Sequence, residues 1–225
     1  MTSMNMNFVK PNTDFLNSEV NSGLVCEKKA VVTGSALNAA LWLDTLKKQQ
    51  EHFDFVKYGK LKPEPNSDAQ ERMKHGTANE INAVATLVTK ILPVFFPHMS
   101  YVEEGCVKVS LGDSNMIVSP DGSCMDNVTH DTEMAIEIKC PFPPSPGSYK
   151  VPVFYTIPKF YVPQILSEMY ALGAEELLFV CYSSESTTFM KATFCQKLWD
   201  SMSSEIVSVF GPNAIRPKRK SDKVP

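Results

Sequence analysis

Two acidic residues and one lysine in the middle of the chain have the types and the spacing of a metal site. Residues 134–139 alternate apolar and polar side chains, so a strand over them places Glu137 and Lys139 on one face. Asp121 lies in a Pro-Asp-Gly turn that follows a predicted strand over residues 115–119. If the two strands pair, the carboxylates of Asp121 and Glu137 meet.

These three side chains suggest a particular chemistry. Two carboxylates aimed at one point repel each other unless a cation joins them, and all-oxygen ligands favour a hard divalent ion such as Mg2+. A lysine two residues after the second carboxylate can stabilise developing negative charge or orient a water molecule. We therefore expect metal-assisted hydrolysis of a phosphodiester, with Mg2+ or Mn2+ as the cofactor.

The composition is ordinary for a globular protein of one domain. The chain has 225 residues, of which 43% are hydrophobic and 21% charged. The longest apolar run, residues 177–182, is far below the ~18 residues that span a bilayer, and the N-terminus lacks a signal pattern. We expect an intracellular protein without a membrane partner. The six cysteines have no C-x-x-C spacing, which favours buried free thiols over a zinc or iron-sulfur site.

The charges are unevenly distributed. The net charge of -3 counts against a protein that simply coats DNA, yet the last ten residues are strongly basic. We expect a flexible segment over residues 1–20, a folded domain over 21–212 and a basic tail over 213–225. Three interpretations of the tail stay open, namely a DNA contact, a nuclear import signal and a solvated end. Its basic residues are Arg216, Lys218, Arg219, Lys220 and Lys223.

The N-terminal elements supply two further candidates. Ser35 precedes a predicted helix over residues 36–53, either as a plain helix cap or, with Lys28, as part of a phosphate grip at the helix N-terminus. A second helix is predicted over residues 68–92, between a capping-box variant and Pro93. Its predicted apolar face consists of Met73, Thr77, Ile81, Val84, Ala85, Val88, Ile91 and Leu92.

Two residues of the second helix need an explanation. Glu80 lies at the border of the predicted apolar face, where it is either a solvated edge residue or an extra acidic group above the metal. Gly76 is one turn earlier and costs ~1 kcal/mol against alanine in a helix interior. Close packing or the close approach of a ligand would account for this glycine.

The remaining elements follow from periodicity and turn residues. Residues 102–110 and 115–119 are predicted to form a hairpin, and residues 123–133 a surface loop that carries His130. A proline-rich stretch over residues 141–158 is predicted to cover the site as a flap. A second hairpin is expected over residues 176–184 and 187–194, and a last helix from about residue 196 to Gly211.

A helix over residues 162–172 completes the prediction, with Pro163 in its first turn and Gly173 at its end. Tyr161, Gln164 and Glu168 lie along one side of it. That side is either a polar outer face or directed at the site, where Gln164 can reach a scissile group or a base edge.

Four motifs follow one another in the order seen in a known family. They are His-Gly-Thr-Ala-Asn-Glu (75–80), Ser-Pro-Asp-Gly (119–122), Glu-Ile-Lys-Cys-Pro-Phe (137–142) and Tyr-Val-Pro-Gln (161–164). With them the chain resembles the YqaJ-type viral recombinases, the lambda exonuclease family, from about residue 28 to residue 185. The resemblance implies the PD-(D/E)XK nuclease fold, a mixed α/β fold in which helices flank a central mixed sheet.

The resemblance also implies roles for the residues that match. Asp121 and Glu137 would be the metal ligands together with the backbone carbonyl of Ile138, and Lys139 would assist the attacking water. Glu80 would approach a second metal region. The 5'-phosphate would be held by Lys28, Ser35 and Ser119, and the site would be supported by Tyr161 and Gln164.

The chain departs from the family pattern at two positions. Lys28 replaces an arginine, which keeps the charge and loses the bidentate fork. Leu166 replaces the second glutamine that usually follows Tyr-x-x-Gln.

The resulting expectation is an Mg2+-dependent exonuclease that resects linear duplex DNA from 5' ends for recombination. A single-strand annealing protein and further copies of the chain are its expected partners. An endonuclease on the same core, and a catalytically silent module that binds DNA or a partner, stay open as alternatives.

Overall fold

A computed structural model of the chain describes residues 31–112, 114–143, 153–211 and 213–218. The strands are β1 Val31–Thr33, β2 Met99–Val102, β3 Val107–Leu111, β4 Ser114–Val118, β5 Gly122–Asp126, β6 Thr132–Lys139, β7 Glu176–Tyr182 and β8 Thr187–Thr193. The α-helices are α1 Leu37–Ala40, α2 Leu46–Tyr58, α3 Ser67–Thr86, α4 Leu92–Phe95, α5 Val162–Leu172 and α6 Gln196–Phe210. A π-helical turn, Leu87–Ile91, joins α3 to α4.

Two mixed sheets form the centre of the fold. The larger has the order β2-β5-β6-β7-β8, in which only β6 and β7 run parallel. The smaller has the order β1-β4-β3, with β1 parallel and β3 antiparallel to β4. The predicted mixed α/β fold is therefore confirmed, and β6 is its central strand.

Both faces of β6 are buried, and its alternation sorts its side chains between two cores. Ala135 packs in the core that includes buried residues of α5 and α6, such as Ile165 and Trp199. Ile136 and Ile138 pack in the other core, against the end of α3 and the π-helical turn. Since odd-numbered residues of β6 point to the α5 side, Glu137 is directed at that helix.

The single helix predicted over residues 36–53 is wrong. The chain makes a 3₁₀ turn over Gly34–Ala36, the short α1, a turn in which Trp42 has a φ of 64°, and then α2. Thr45 starts α2 by accepting a hydrogen bond from the N–H of Lys48 (3.4 Å). A polar side chain that caps a new helix competes with continuation of the first one, which explains the break.

The second helix starts and ends differently from the prediction. Its cap is Asn66, whose Oδ1 accepts from the N–H of Ala69 (2.9 Å), and the helical path continues beyond Pro93 to Phe95. Pro93 is tolerated because it lies in the first turn of α4.

The predicted apolar face of that helix is also wrong. Of its members, Ile91 and Leu92 are buried as predicted, but Met73 is 63% exposed and Ile81 70% exposed, and the buried Ala83 and Leu87 were not predicted. Most of α3 projects beyond the sheet, so only its last turn and the π-helical turn pack against β6 and β7.

Two predictions between residues 99 and 133 need correction. The hairpin predicted over residues 102–110 and 115–119 is confirmed as β3 and β4, but its first strand begins only at Val107, since Val102 belongs to β2, which pairs with β5. The stretch 123–133 is not only a loop, since β5 occupies its first part between β2 and β6. His130 does lie in an exposed turn, with a φ of 61°.

The C-terminal half agrees with the prediction. The helix over residues 162–172, with Gly173 in the left-handed region at its end (φ 67°), is α5. The predicted hairpin is β7 and β8, and the last helix is α6, which ends at Gly211. Of the predicted flap, residues 144–152 lie outside the described residues, as do residues 1–30.

The start of the predicted basic tail packs against α2. The guanidinium of Arg216 donates two hydrogen bonds to Asp54, at 2.7 and 3.1 Å. The side-chain amide of Gln50 donates to the carbonyl of Pro217 (2.7 Å). Arg216 is therefore engaged with the folded domain, while residues 219–225 lie outside the described part.

No helix in the described part of the chain is long and apolar enough to cross a membrane. The cysteines within it are free thiols, of which Cys124 and Cys181 are buried.

A buried histidine on α2 makes stability depend on pH. Burial, and then the charge of Lys62, lower the pKa of His52 from 6.5 to about 4. The folded state favours neutral His52, so this residue contributes its full stabilisation at pH values above the unfolded-state pKa of 6.5. That contribution to the free energy of unfolding is lost as pH falls from 6.5 toward 4. We expect the free energy of unfolding to fall by about 2–3 kcal/mol more in the wild type than in His52→Leu over that range. Urea unfolding at both pH values measures this difference.

The matched control for this titration is His130→Gln, because His130 is exposed. A pH dependence of His52→Leu that equals that of the wild type would contradict the assignment.

Candidate active site

The pairing of β5 with β6 brings Asp121 and Glu137 together. Gly122 is the register partner of Ile136, so Asp121 continues the pairing opposite Glu137. The N–H of Ile138 donates to Oδ2 of Asp121 (2.6 Å). The predicted meeting of the carboxylates thus occurs, but through β5, because the strand before Asp121 belongs to the other sheet.

A glycine and a tyrosine fix the backbone beside Asp121. The hydroxyl of Tyr101 donates to the carbonyl oxygen of Asp121 (2.6 Å). A Cβ on Gly122 would lie 2.3 Å from Cε2 of Tyr101 and 2.8 Å from the carbonyl oxygen of Val102. Only a residue without a side chain allows this approach, so Gly122 is required by packing.

Glu137 is fully buried and is held by two polar partners. The ammonium group of Lys139 contacts its Oε1, and the side-chain amide of Gln164 donates to the same oxygen (2.6 Å). Its other oxygen, Oε2, accepts no hydrogen bond from an N–H or hydroxyl group of the described residues, and the same is true of Oε2 of Glu168. The carboxyl groups of Asp121 and Glu168 both interact with Glu137, so a proton shared with either of them, or a cation, would satisfy the buried oxygen.

Lys139 lies between Glu137 and an aromatic ring. Its Nζ is 5.0 Å from the centroid of the Tyr161 ring. Burial lowers the pKa of Lys139, but the charges of Glu137 and Asp121 together outweigh burial, so the pKa is raised. The lysine is therefore a protonated cation at neutral pH.

The side of α5 that carries Gln164 faces the site, so its interpretation as a polar outer face is wrong. Gln164 also donates to Oε1 of Glu168 (2.9 Å), and Glu168 is buried. Burial, followed by the charge of Glu137, raises the pKa of Glu168 well above its usual range. The sequence placed Glu168 on this side of the helix, four residues after Gln164, but gave no reason to place a second carboxyl group beside Glu137.

Glu80 is near the site and exposed at the same time. Its pKa is raised by burial and by the charge of Asp121, while Lys139 acts in the opposite direction. The electrostatic coupling to Asp121 and Lys139 indicates that Glu80 lies near the pair, on a helix whose surface is open to solvent.

Ser35 and Ser119 lie beyond the C-terminal ends of two neighbouring parallel strands, β1 and β4. Thr33 of β1 is the register partner of Ile117 in the parallel β4, and each serine follows two residues later. Both serines are exposed. Ser35 lies within the 3₁₀ turn and caps no helix, so the plain-cap interpretation is wrong. Lys28 lies outside the described residues.

The donor set fits a hard divalent cation. Within the described ranges, no three His, Cys, Asp or Glu side chains are grouped as a complete metal site. The carboxylates of Asp121 and Glu137 would need the backbone carbonyl of Ile138 as a third ligand, which gives an all-oxygen set. The burial of the neighbouring carboxyl groups of Asp121 and Glu137 is the observation that favours a cation here.

The sequence of the chain is similar to that of a known protein family over most of its length. The sequence profile of the YqaJ-like viral recombinase domain matches residues 26–175, which is more than half of the chain. The chain belongs to the YqaJ-like family. No curated protein sequence matches it.

Two solved structures have the fold of this YqaJ-like chain. They are alkaline exonuclease LHK-Exo from Laribacter hongkongensis, with 19% sequence identity and a TM-score of 0.54, and LHK-Exo in complex with dAMP, with 18% identity and a TM-score of 0.53. Each match covers 78% of this chain and 83% of the other. The shared architecture is the PD-(D/E)XK nuclease fold.

The YqaJ-like match contains every proposed site residue and stops before the larger sheet is complete. β7, β8, α6 and the segment 213–218 all follow residue 175. The last part of the chain therefore lies outside the family match.

Metal affinity at this site is expected to depend on pH. Burial, and then the charge of Glu137, raise the pKa of Asp121 to about 7. A cation must displace the proton from Asp121, so affinity should fall about tenfold for each pH unit below 7 and level off above it. Titration of the protein with Mn2+, monitored by calorimetry between pH 5.5 and 8.5, measures the profile.

The variant Asp121→Asn removes the titrating group and serves as the control. An affinity for Mn2+ that is constant across this range in the wild type would contradict the assignment.

Proposed function

We propose that this YqaJ-like chain is a metal-dependent deoxyribonuclease, and specifically an exonuclease that degrades one strand of linear duplex DNA from its 5' end. The observation that carries the proposal is the arrangement of Asp121, Glu137 and Lys139 at the paired ends of β5 and β6. The family membership and the exonuclease neighbours support the same activity.

The metal would be held by the carboxylates of Asp121 and Glu137 and the carbonyl of Ile138. When bound, Mg2+ supplies Lewis-acid stabilisation of a phosphoryl oxygen and lowers the pKa of coordinated water. Glu80, whose charge interacts with that of Asp121, would be the acidic group for a second cation.

The side chains of the site have separate tasks. Lys139 carries a positive charge beside Glu137, so it would orient water and stabilise negative charge on the phosphate. Gln164 fixes the orientation of Glu137 by its hydrogen bond to Oε1. Tyr161 supports Lys139 through its ring face.

The direction of degradation, from the 5' end, would be determined by how the enzyme binds the terminal phosphate of the DNA. Ser35 and Ser119 lie at one edge and are exposed, as hydroxyl donors to a terminal 5'-phosphate must be. Lys28 would add the positive charge there. The 3' strand left by such an enzyme is a substrate for a single-strand annealing protein, and assembly of several copies would keep the enzyme on its DNA.

The activity is tested by incubating purified protein with linear and circular duplexes in Mg2+, and in EDTA as a control. We expect loss of the linear duplex in Mg2+, nucleotides released from 5' ends, and slower loss when the end carries a 5'-hydroxyl. Cleavage of the circular duplex would indicate the endonuclease alternative. Intact linear duplex in both Mg2+ and Mn2+ would exclude the nuclease and favour a silent binding module.

A further inference from the structure

Positive charge is concentrated where the end of α2 meets the C-terminal segment. Residues 54–62 and 213–218 together contain five basic residues and one acidic residue, Asp54, although the whole chain has a net charge of -3. None of these residues belongs to the proposed active site, and the segment 213–218 lies beyond the family match. We name this region the basic surface; its cations are Lys57, Lys60, Lys62, Arg216 and Lys218.

Specific contacts join the two segments into one surface. Asp54 accepts from Arg216 at 2.7 and 3.1 Å and pairs with Lys60 at 3.0 Å. Lys57 donates to the carbonyl oxygens of Phe210 (3.3 Å) and Gly211 (2.8 Å) at the end of α6. Asp54 thus links the two segments through its contacts with Arg216 and Lys60. Because it is the one acidic residue in these ranges, the basic surface keeps a net positive charge.

Exposed aromatic and apolar side chains lie among these cations. Tyr58 is 61% exposed and Leu61 92% exposed. The ammonium group of Lys60 is 5.7 Å from the Tyr58 ring centroid, and that of Lys62 is 4.7 Å from the ring of Phe55. Such contacts hold long, flexible side chains near one another and reduce the entropy lost when they bind a partner.

We propose that the basic surface binds the phosphate backbone of DNA at a place other than the cleaved end. Lysine and arginine clusters of this kind supply affinity for a polyanion without reading its sequence. Interleaved exposed rings favour a nucleic acid over an acidic protein, because a base can stack on Tyr58 where the duplex is opened. This inference rests on the proposed nuclease function for its substrate and adds a second contact with the same DNA.

Binding without cleavage tests the proposal. The probe is a short fluorescent duplex closed by hairpin loops at both ends, so that no terminal phosphate can occupy the active site, and the buffer contains EDTA. Anisotropy titrations at several salt concentrations give the affinity and its salt dependence. For Lys62→Gln/Lys218→Gln we expect several-fold weaker binding and a log-log salt slope reduced by about two.

The matched control is Lys90→Gln/Lys197→Gln, which removes two exposed lysines from other helical segments. The proposal is overturned if both double variants bind alike, or if the wild type does not bind the closed duplex. It is also overturned if Lys62→Gln/Lys218→Gln loses affinity for phosphatidylserine vesicles but not for DNA.

Cleavage of linear duplex in Mg2+, measured on the same preparations, separates this inference from the proposed function. Wild-type binding with the expected salt slope but no cleavage supports the basic surface and rejects the nuclease. Cleavage by the wild type with identical slopes for both double variants rejects the basic surface alone.

Discussion

Replacing Asp121 with asparagine should reduce cleavage of linear duplex DNA by roughly 10³-fold or more, because the proposed metal would lose one of its two carboxylate ligands. Asparagine retains an oxygen that can accept the hydrogen bond from the N–H of Ile138, which Asp121 accepts at 2.6 Å. The fold should therefore survive. Initial rates on 5'-phosphorylated linear duplex in Mg2+ measure the loss.

The same variant should be more stable than the wild type in EDTA. Burial, and then the charge of Glu137, raise the pKa of Asp121 to about 7, so the folded state binds this proton more tightly than the unfolded state does. The resulting stabilisation of the folded state is lost as pH rises through 7. A neutral asparagine avoids this loss, and we expect it to raise the free energy of unfolding by about 1–3 kcal/mol at pH 8.

An exposed acid on β6, the strand that carries Glu137, gives the control. Glu133→Gln removes one negative charge from β6 at an exposed position and should change neither rate nor stability by much. Asp121 would be rejected as a metal ligand if its asparagine variant cleaved DNA at a rate within a few-fold of the control. Loss of activity together with loss of stability would indicate a structural role.

Replacing Gly122 with alanine should damage both the fold and the site. The added Cβ would lie 2.3 Å from the Tyr101 ring and 2.8 Å from the backbone oxygen of Val102. The ring can rotate away only by giving up its hydrogen bond to Asp121, and the backbone contact remains in any case. Overpacking of this kind typically costs about 1–3 kcal/mol. Urea unfolding, together with the cleavage rate, measures both effects.

Gly76→Ala is the matched substitution for that experiment. A Cβ at Gly76 would meet nothing within 4 Å, so packing does not explain this glycine, contrary to one of the two sequence-based reasons. Alanine should stabilise α3 by up to about 1 kcal/mol. If Gly122→Ala were as stable as Gly76→Ala, the close approach of Tyr101 would not be a constraint.

The elements that were correctly predicted are those in which periodicity, composition and end signals agree. For α5, a proline in the first turn and a glycine after the last residue mark both ends, and the apolar residues between them face a core. The hairpin of β7 and β8 has long apolar and threonine-rich strands around a short turn. The motif around Glu137 and Lys139 was identifiable because alternation alone places both side chains on one face.

The incorrect predictions depend on contacts that are distant in sequence. β5 has the sequence Gly-Ser-Cys-Met-Asp, without a β-branched residue, and becomes a strand because β2 and β6 lie on either side of it. The burial of Glu168 likewise depends on how α5 is oriented over β6. Neither fact follows from local residue types, since propensity gives way to tertiary packing.

The carboxylates of Asp121 and Glu137 are oriented by hydrogen bonds from groups of the chain itself. Gln164 holds Glu137, and Ile138 holds Asp121. Carboxylates held by fixed donors need little reorganisation during the reaction. Discrimination between 5'-phosphate and 5'-hydroxyl ends should then act mainly on KM, through seating of the terminus, while kcat for ends that do bind stays nearly equal.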